Sequence, residues 1–314
     1  MRYVLKKLAL LLLTLFVISL LAFLAFQVIP GDPTTKMLGS EATPERVAAL
    51  RQELGLDRPV LARYWHWLTG CLSGELGLSY SYFQPVEKVL SGKIQVTAWL
   101  SGLAFLLVIV LALPIGVLLA RFEGGPVDKA MTVLNQIVMS VPAFFIGILF
   151  TYLFGLVLRF FTPGGYVSYR ADMGAFLRYM IFPALAVALP KAAMCVKLLR
   201  SSILQELDQD YVRTGYSRGR SRGSVLRHHV LRNAVIPTIT FLAVTLADIV
   251  AGSIIIEQVF SLPGIGRLLL LSISNRDFPV VQVIVVLIAS LVVIINFLAD
   301  ISYQYIDPRI RLDR

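Results

Sequence analysis

Residues 278–299 read FPVVQVIVVLIASLVVIINFLA, a run without a single Asp, Glu, Lys or Arg. About twenty apolar residues wound as a helix cover the roughly 30 Å hydrocarbon core of a bilayer, where a backbone must satisfy its own hydrogen bonds. The run therefore predicts a membrane-crossing helix. Residues 131–158 are equally free of charge and predict a second continuous span. Working outward, apolar stretches at 8–28, 96–120, 177–199 and 235–257 bring the expectation to six spans. Pro183, Pro190 and Lys191 interrupt the stretch at 177–199, which a span tolerates where neighbouring helices re-satisfy the freed backbone groups.

Composition agrees with this reading. The 314 residues are 57% hydrophobic and 15% charged, far from the quarter-charged balance of soluble domains, so a soluble enzyme is excluded. A net charge of +10 raises the question of nucleic acid. The basic residues, however, cluster beside the ends of apolar segments and no nucleic-acid motif accompanies them, so no nucleic-acid partner is expected. Cys71 and Cys195 support neither a disulfide framework nor a thiolate metal cage and are expected to be inert. Arg2, Lys6 and Lys7 ahead of residues 8–26 resemble the start of a signal peptide. The apolar run, interrupted only by Thr14 and Ser19, is longer than a typical signal core and no clear cleavage site follows, so a retained first helix is expected.

Orientation follows from the lysines and arginines. With the N-terminus in the cytoplasm, sixteen fall on inside segments, against five in the short outside loops: Arg159, Arg170, Arg178, Arg267 and Arg276. Both termini are therefore expected to be cytoplasmic. The chain divides into a first span at 1–28, an extracytoplasmic loop at 29–95, a five-helix core at 96–304 with a cytoplasmic loop at 200–233, and a tail at 305–314. In the first loop Thr43 suits an N-cap, Pro44 the first helical position, and Gly55 a stop. Val47, Leu50 and Leu54 recur on one face between them, which predicts a short amphipathic helix, either lying on the outer face of the bundle or serving a binding role.

Residues 205–237 read QELDQDYVRTGYSRGRSRGSVLRHHVLRNAVIP. The pattern predicts two short helices joined by a glycine turn. Asp210 begins the first, with Tyr211, Val212, Gly215 and Tyr216 on one face. Gly219 supplies a left-handed stop and Ser224 caps the second. Such a helix, held between two spans, can act as a knob in a partner's groove; alternatively the loop only anchors topology.

This segment resembles the Glu-Ala-Ala-x-x-x-Gly signature of the permease subunits of bacterial ATP-binding-cassette importers. Arg213-Thr214-Gly215 occupies the triad position and Gly219 that of the glycine. The arginine and threonine resemble the variant of the dipeptide, oligopeptide and nickel branch. Gly215 stands where a small alanine is usual, which loosens the helix by about 1 kcal/mol. Further similar blocks are Ile29-Pro-Gly-Asp-Pro33, Leu54-Gly-Leu-Asp-Arg-Pro59, Leu231-Arg-Asn-Ala-Val-Ile-Pro237, the stretch from Glu257 to Gly266, Asn275-Arg-Asp-Phe-Pro-Val-Val-Gln282 and Asp307-Pro-Arg-Ile-Arg311.

The resemblance implies an all-α polytopic bundle of the type I importer fold in the bacterial cytoplasmic membrane, with one peripheral helix and a five-helix core. It implies a non-catalytic subunit that pairs with a second, related permease, two cytoplasmic ATPases and an extracytoplasmic solute-binding protein. Asp210, Tyr211, Val212, Arg213, Thr214, Gly215, Tyr216, Arg218 and Gly219 would receive the ATPase stroke. ATP and Mg would be handled by the ATPases, since the chain has no Gly-x-x-x-x-Gly-Lys-Ser/Thr phosphate loop and no cofactor of its own is expected. Di- or oligopeptides are the first choice of solute, with nickel or a metal chelate as the alternative.

Charges inside spans are functional candidates because burying one is costly unless it pairs or faces water. Helical rise puts Lys191 and Asp248 at similar depth, so they are expected either to pair or to line the pathway, or to do no more than orient two helices. Asn135, Gln136, Ser140 and Ser253 are further pathway candidates, with Gly252 as a packing residue. An intramembrane protease lacks support, because His66, His228 and His229 fall in loops and no pair of membrane aspartates exists. No metal site is expected at the adjacent histidines, whose side chains diverge on a helix. An ion-coupled secondary carrier stays as the rival class, although no inverted halves are visible.

Overall fold

The computed structural model describes residues 2–28, 33–39 and 42–306. Residues 29–32 of the first proline-glycine block, and 307–314 with the Asp307 block and most of the expected tail, lie outside the described residues. The first third holds α1 (Arg2–Val28), α2 (Pro33–Leu38), α3 (Pro44–Glu53), α4 (Val60–Ser73) and α5 (Val86–Leu90). Next come α6 (Lys93–Arg121), α7 (Pro126–Ser140), α8 (Ala143–Phe150) and α9 (Met173–Leu207). The remainder is α10 (Asp210–Ser217), α11 (Arg222–Val225), α12 (Leu231–Val259), α13 (Ile265–Ser274) and α14 (Phe278–Ile306), with π-helical turns at Thr151–Val157 and Leu226–Val230. Among the described residues the one strand-like feature is an isolated bridge between Leu78 and Pro85.

Among the described residues five helical stretches are long and apolar enough to cross a membrane: Leu5–Gln27, Val86–Arg121, Met173–Leu207, Gly223–Val259 and Phe278–Ile301. The expected continuous span at 131–158 is instead a bent pair, with α7 and the helix from Ala143 to Val157 meeting at 99°. The cause is local. Pro142 pushes the residue before it out of the helical region, and Val141 is extended at φ −90°, ψ 124°. Hydropathy does not register this break, because every residue on both sides of it is apolar or neutral. Prolines elsewhere leave helices intact: Pro114 in α6, Pro183 and Pro190 in α9 and Pro237 in α12.

The described residues form two units. One comprises 96–262 with 294–314. Its core begins with Leu100, Ala104, Val108 and Ala112, spaced every fourth residue on α6 and fully buried. They share one apolar cluster with Met180, Ala184 and Ala188 of α9 and Ile249 and Ile256 of α12. Small residues let these helices approach: a Cβ at Gly116 would fall 2.9 Å from Leu199 Cδ2. The other unit comprises 1–95 with 263–293. Thr43 caps α3, accepting from the Arg46 amide at 3.4 Å, and Gly55 follows with φ +64°. The sequence marked this one helix, yet four occupy the loop. The missed α4 packs on α1, with Tyr64 buried and its hydroxyl 2.9 Å from Ser19 Oγ. Burial pushes the Cys71 thiol of α4 up to about 11, so it stays protonated at neutral pH.

Candidate functional site

α10 lies across the ends of α9 and α12. Val212 is fully buried in a small cluster with Leu199 and Ile203 of α9, Val225 and Leu226, and Ala234 of α12. The expected single aromatic face is divided by this packing. Val212 and Gly215 turn inward, a Cβ on Gly215 falling 3.4 Å from Val225, while Tyr211 and Tyr216 stay about 40% exposed. Tyr211 is nonetheless tied down: its hydroxyl donates to the Glu206 carboxylate, and Asn233 Nδ2 lies 3.4 Å from both Glu206 Oε2 and the Tyr211 hydroxyl. Burial, and then Glu206 itself, holds the Tyr211 phenol above its ordinary range. The three residues clasp α9, α10 and α12 together. Asp210 and Arg213 form only an exposed 3.7 Å pair, which solvent screens, and Arg218 is exposed at the C-cap. Thr214 and Ser217 return their hydroxyls to the carbonyls of Asp210 and Arg213.

Gly219 has φ +76°, as the glycine stop requires. The expected cap at Ser224 is not formed. α11 already starts at Arg222, with the Ser221 carbonyl accepting from Val225, and Ser224 lies inside the turn. Either serine has the right chemistry, and the short link after Gly219 favours the earlier one. Nor is the second helix short, since it runs through the π turn into α12. Arg220 contacts the His229 ring there, and among the described residues no group of His, Cys, Asp or Glu could hold a metal. Gly215→Ala is expected to stabilise α10 by about 1 kcal/mol, because the new methyl meets Val225 at ordinary contact distance. Hydrogen exchange of the Tyr211 to Ser217 amides checks this: they should exchange more slowly.

A second site lies between α9 and α12. Lys191 Nζ reaches Asp248 Oδ2 at 2.7 Å. Both side chains are partly exposed, 27% and 52%, and both line a cavity of about 370 Å³. Ser140, Val141 and Pro142 form another wall, so the break in the third hydrophobic stretch is what opens the space. Ser140 and Gly252 thus line this cavity. Asn135 braces α9 through Nδ2 to the Ala193 carbonyl at 2.8 Å, and Ser253 is buried with its hydroxyl on Val250 of its own helix. Gln136 is exposed on α7.

Among the described residues three buried carboxylates were missed. Asp128 of α7 takes a two-pronged contact from Arg200, at 2.9 Å from Nε and 2.8 Å from Nη2. Glu257, fully buried in α12, accepts from Thr97 at 2.5 Å. Asp277, fully buried ahead of α14, accepts from Ser79 Oγ at 2.5 Å and from the Tyr80 and Ser81 amides. Asp277 and Glu257 stand in the motif blocks read from the sequence, which is the signal that marked their neighbourhoods.

With this geometry in hand, residues 112–312 match the family described as binding-protein-dependent transport system inner membrane component, and residues 1–101 match the N-terminal model of the same transport systems. The chain belongs to this family. A probable peptide ABC transporter permease of Sinorhizobium fredii is 36% identical over 98% of the permease and 99% of its own length. The glutathione transport system permease GsiC of Escherichia coli is 32% identical over 99% of each chain. Among solved structures, the MetNI methionine ABC transporter matches with TM-score 0.55 at 17% identity, covering 70% of the permease and 96% of that chain. The shared fold is that of an ABC importer permease, a multi-pass inner-membrane protein, and the carrier reading falls away.

Proposed function

We propose that the permease forms half of the translocation path of an ATP-driven importer for short peptides and receives the ATPase stroke through α10. The seating of α10 carries the proposal. Val212 is sunk in the junction of α9 and α12, and the Glu206, Tyr211 and Asn233 clasp joins the same elements, so a force on the exposed Tyr216 side moves two spans together. Both spans reach the Lys191 and Asp248 cavity. Relatives named for peptides and for glutathione, itself a tripeptide, favour a solute with charged termini. A second related permease, two cytoplasmic ATPases that bind ATP and Mg, and an extracytoplasmic binding protein complete the assembly. The chain itself performs no catalysis. The lysine and arginine bias favours cytoplasmic termini, which places α10 on the ATPase side.

A cysteine at Tyr216 should crosslink to the ATPase in native membranes, and vesicles containing the whole complex should accumulate a labelled di- or tripeptide only with ATP. Crosslinking of that cysteine to the binding protein instead would reverse the assigned side. For the cavity, Lys191→Asp and Asp248→Lys each place like charges in contact and should cut uptake about tenfold, equivalent to about 1.4 kcal/mol. The double reversal restores the pair and should recover transport. No recovery would mean that each charge has its own separate task.

A further inference from the structure

A larger cavity, about 870 Å³, lies in the unit formed by residues 1–95 and 263–293. Its phenylalanines come from the end of the first span, Phe23 and Phe26, and from the start of the last, Phe278, and leucines between residues 54 and 78 add further apolar wall. α4 contributes Arg63, His66, Trp67 and Gly70, one helical face by their spacing. Two N–H donors in this wall have no partner. Gln282 is 6% exposed and its Nε2 is unbonded, and Trp67 Nε1 is buried and unbonded as well. Buried donors are rarely left this way, and an acceptor-rich group in the cavity that both residues line would satisfy them. Arg58 and Arg63 line the same cavity, and guanidinium groups match the oxygens of a phosphate.

Position decides which phosphate. The cavity meets the ends of two spans, at the level where headgroups lie and where Trp is enriched in membrane proteins. A soluble phosphate would have no use for the phenylalanines. The acidic residues Glu53 and Glu75 also line the cavity and would oppose a purely anionic headgroup, whereas they suit an ammonium. We propose that this cavity binds the zwitterionic headgroup of a phosphatidylethanolamine, its phosphate held by Arg63, Gln282 and Trp67, with an acyl chain lying on Phe23 and Phe26.

Native mass spectrometry of the full chain in detergent, with defined lipids added, tests this. Phosphatidylethanolamine should be retained about tenfold more tightly than diacylglycerol, the size of effect one or two charge-assisted hydrogen bonds give. Arg63→Gln with Gln282→Leu should bring it down to the diacylglycerol level, while Arg178→Gln, outside the cavity, should change nothing. Because the double variant could misfold, a Thr69→Cys probe on the cavity wall, in a Cys71→Ser and Cys195→Ser background, gives a second readout. Its alkylation by a water-soluble maleimide should slow when phosphatidylethanolamine is added. Equal retention of diacylglycerol, unchanged retention in the double variant, or unprotected Thr69→Cys overturns the proposal. Equal retention of phosphatidylglycerol overturns the ethanolamine assignment. Displacement by glycerophosphoethanolamine or by trialanine would make this a site for soluble ligands and overturn the lipid.

Discussion

Asp128→Asn is expected to destabilise the permease by about 3–5 kcal/mol, the usual cost of removing one partner from a buried ion pair. The Asp128 side chain is 5% exposed and accepts both prongs of the Arg200 guanidinium and the Gly124 amide, at 2.8–3.0 Å. An asparagine keeps one acceptor oxygen and loses the charge, so the guanidinium is left facing an amide. Arg200 is 26% exposed, and water reaching it puts the effect at the lower end of that range. Asp128→Leu with Arg200→Met should recover most of the loss, since a buried pair is often replaceable by apolar side chains of similar size, leaving the Gly124 amide and the exposed Thr132 hydroxyl without this acceptor. Thermal unfolding of the three proteins in detergent, followed by monodispersity on a sizing column, measures this order. A wild-type midpoint for Asp128→Asn would show that the pair is dispensable. The pair bears on function because it ties the start of α7 to the end of α9 that carries α10.

How far the sequence foretold this arrangement depends on the range of the interaction. Spans were legible because lipid forces the backbone to satisfy itself within one helix, which fixes length and composition in a single stretch. The similar depth of Lys191 and Asp248 was legible because helical rise converts sequence position into depth, while pairing, lining and simple orientation stayed open. Gly219 was legible because a left-handed turn selects glycine. Asp128, by contrast, reads as an acidic residue at a loop edge, and its partner stands 72 residues away. Glu257 sits at the last turn of a span, where hydropathy treats it as interfacial, and the threonine that receives it is 160 residues distant. α4 has apolar and aromatic residues suited to α1, but only the neighbour reveals which face is buried. The 99° break is the instructive miss. Proline tolerance inside a span was expected at Pro183 and Pro190, and there, as at Pro114 and Pro237, the helix continues. At Pro142 the helix gives way, and the gap becomes a wall of the charged cavity.

Gly219→Val should leave membrane insertion intact and reduce uptake about five- to thirtyfold, the equivalent of about 1–2 kcal/mol against a left-handed side chain. The end of α10 has the two hydrogen bonds of a glycine-terminated helix: Arg220 N–H to the Gly215 carbonyl at 3.3 Å and Gly219 N–H to the Tyr216 carbonyl at 2.9 Å. The first of them depends on φ +76° at Gly219, which turns the chain so that the Arg220 amide faces back to Gly215. A Cβ placed there meets nothing within 4 Å, so no steric neighbour complicates the substitution and the penalty is conformational alone. Losing that conformation releases the link to α11, and with it the angle at which Tyr216 meets a partner, while the spans keep their packing. A series separates this cause from a general packing defect. Asn enters the left-handed region most readily of the larger residues, so Gly219→Asn should retain most uptake, Gly219→Ala less and Gly219→Val least. ATP hydrolysis by the assembled complex should persist in the valine variant while uptake falls, since the fault lies in transmission. Full uptake by Gly219→Val, or a series ordered by side-chain volume instead of left-handed preference, would remove α10 from the path of the stroke.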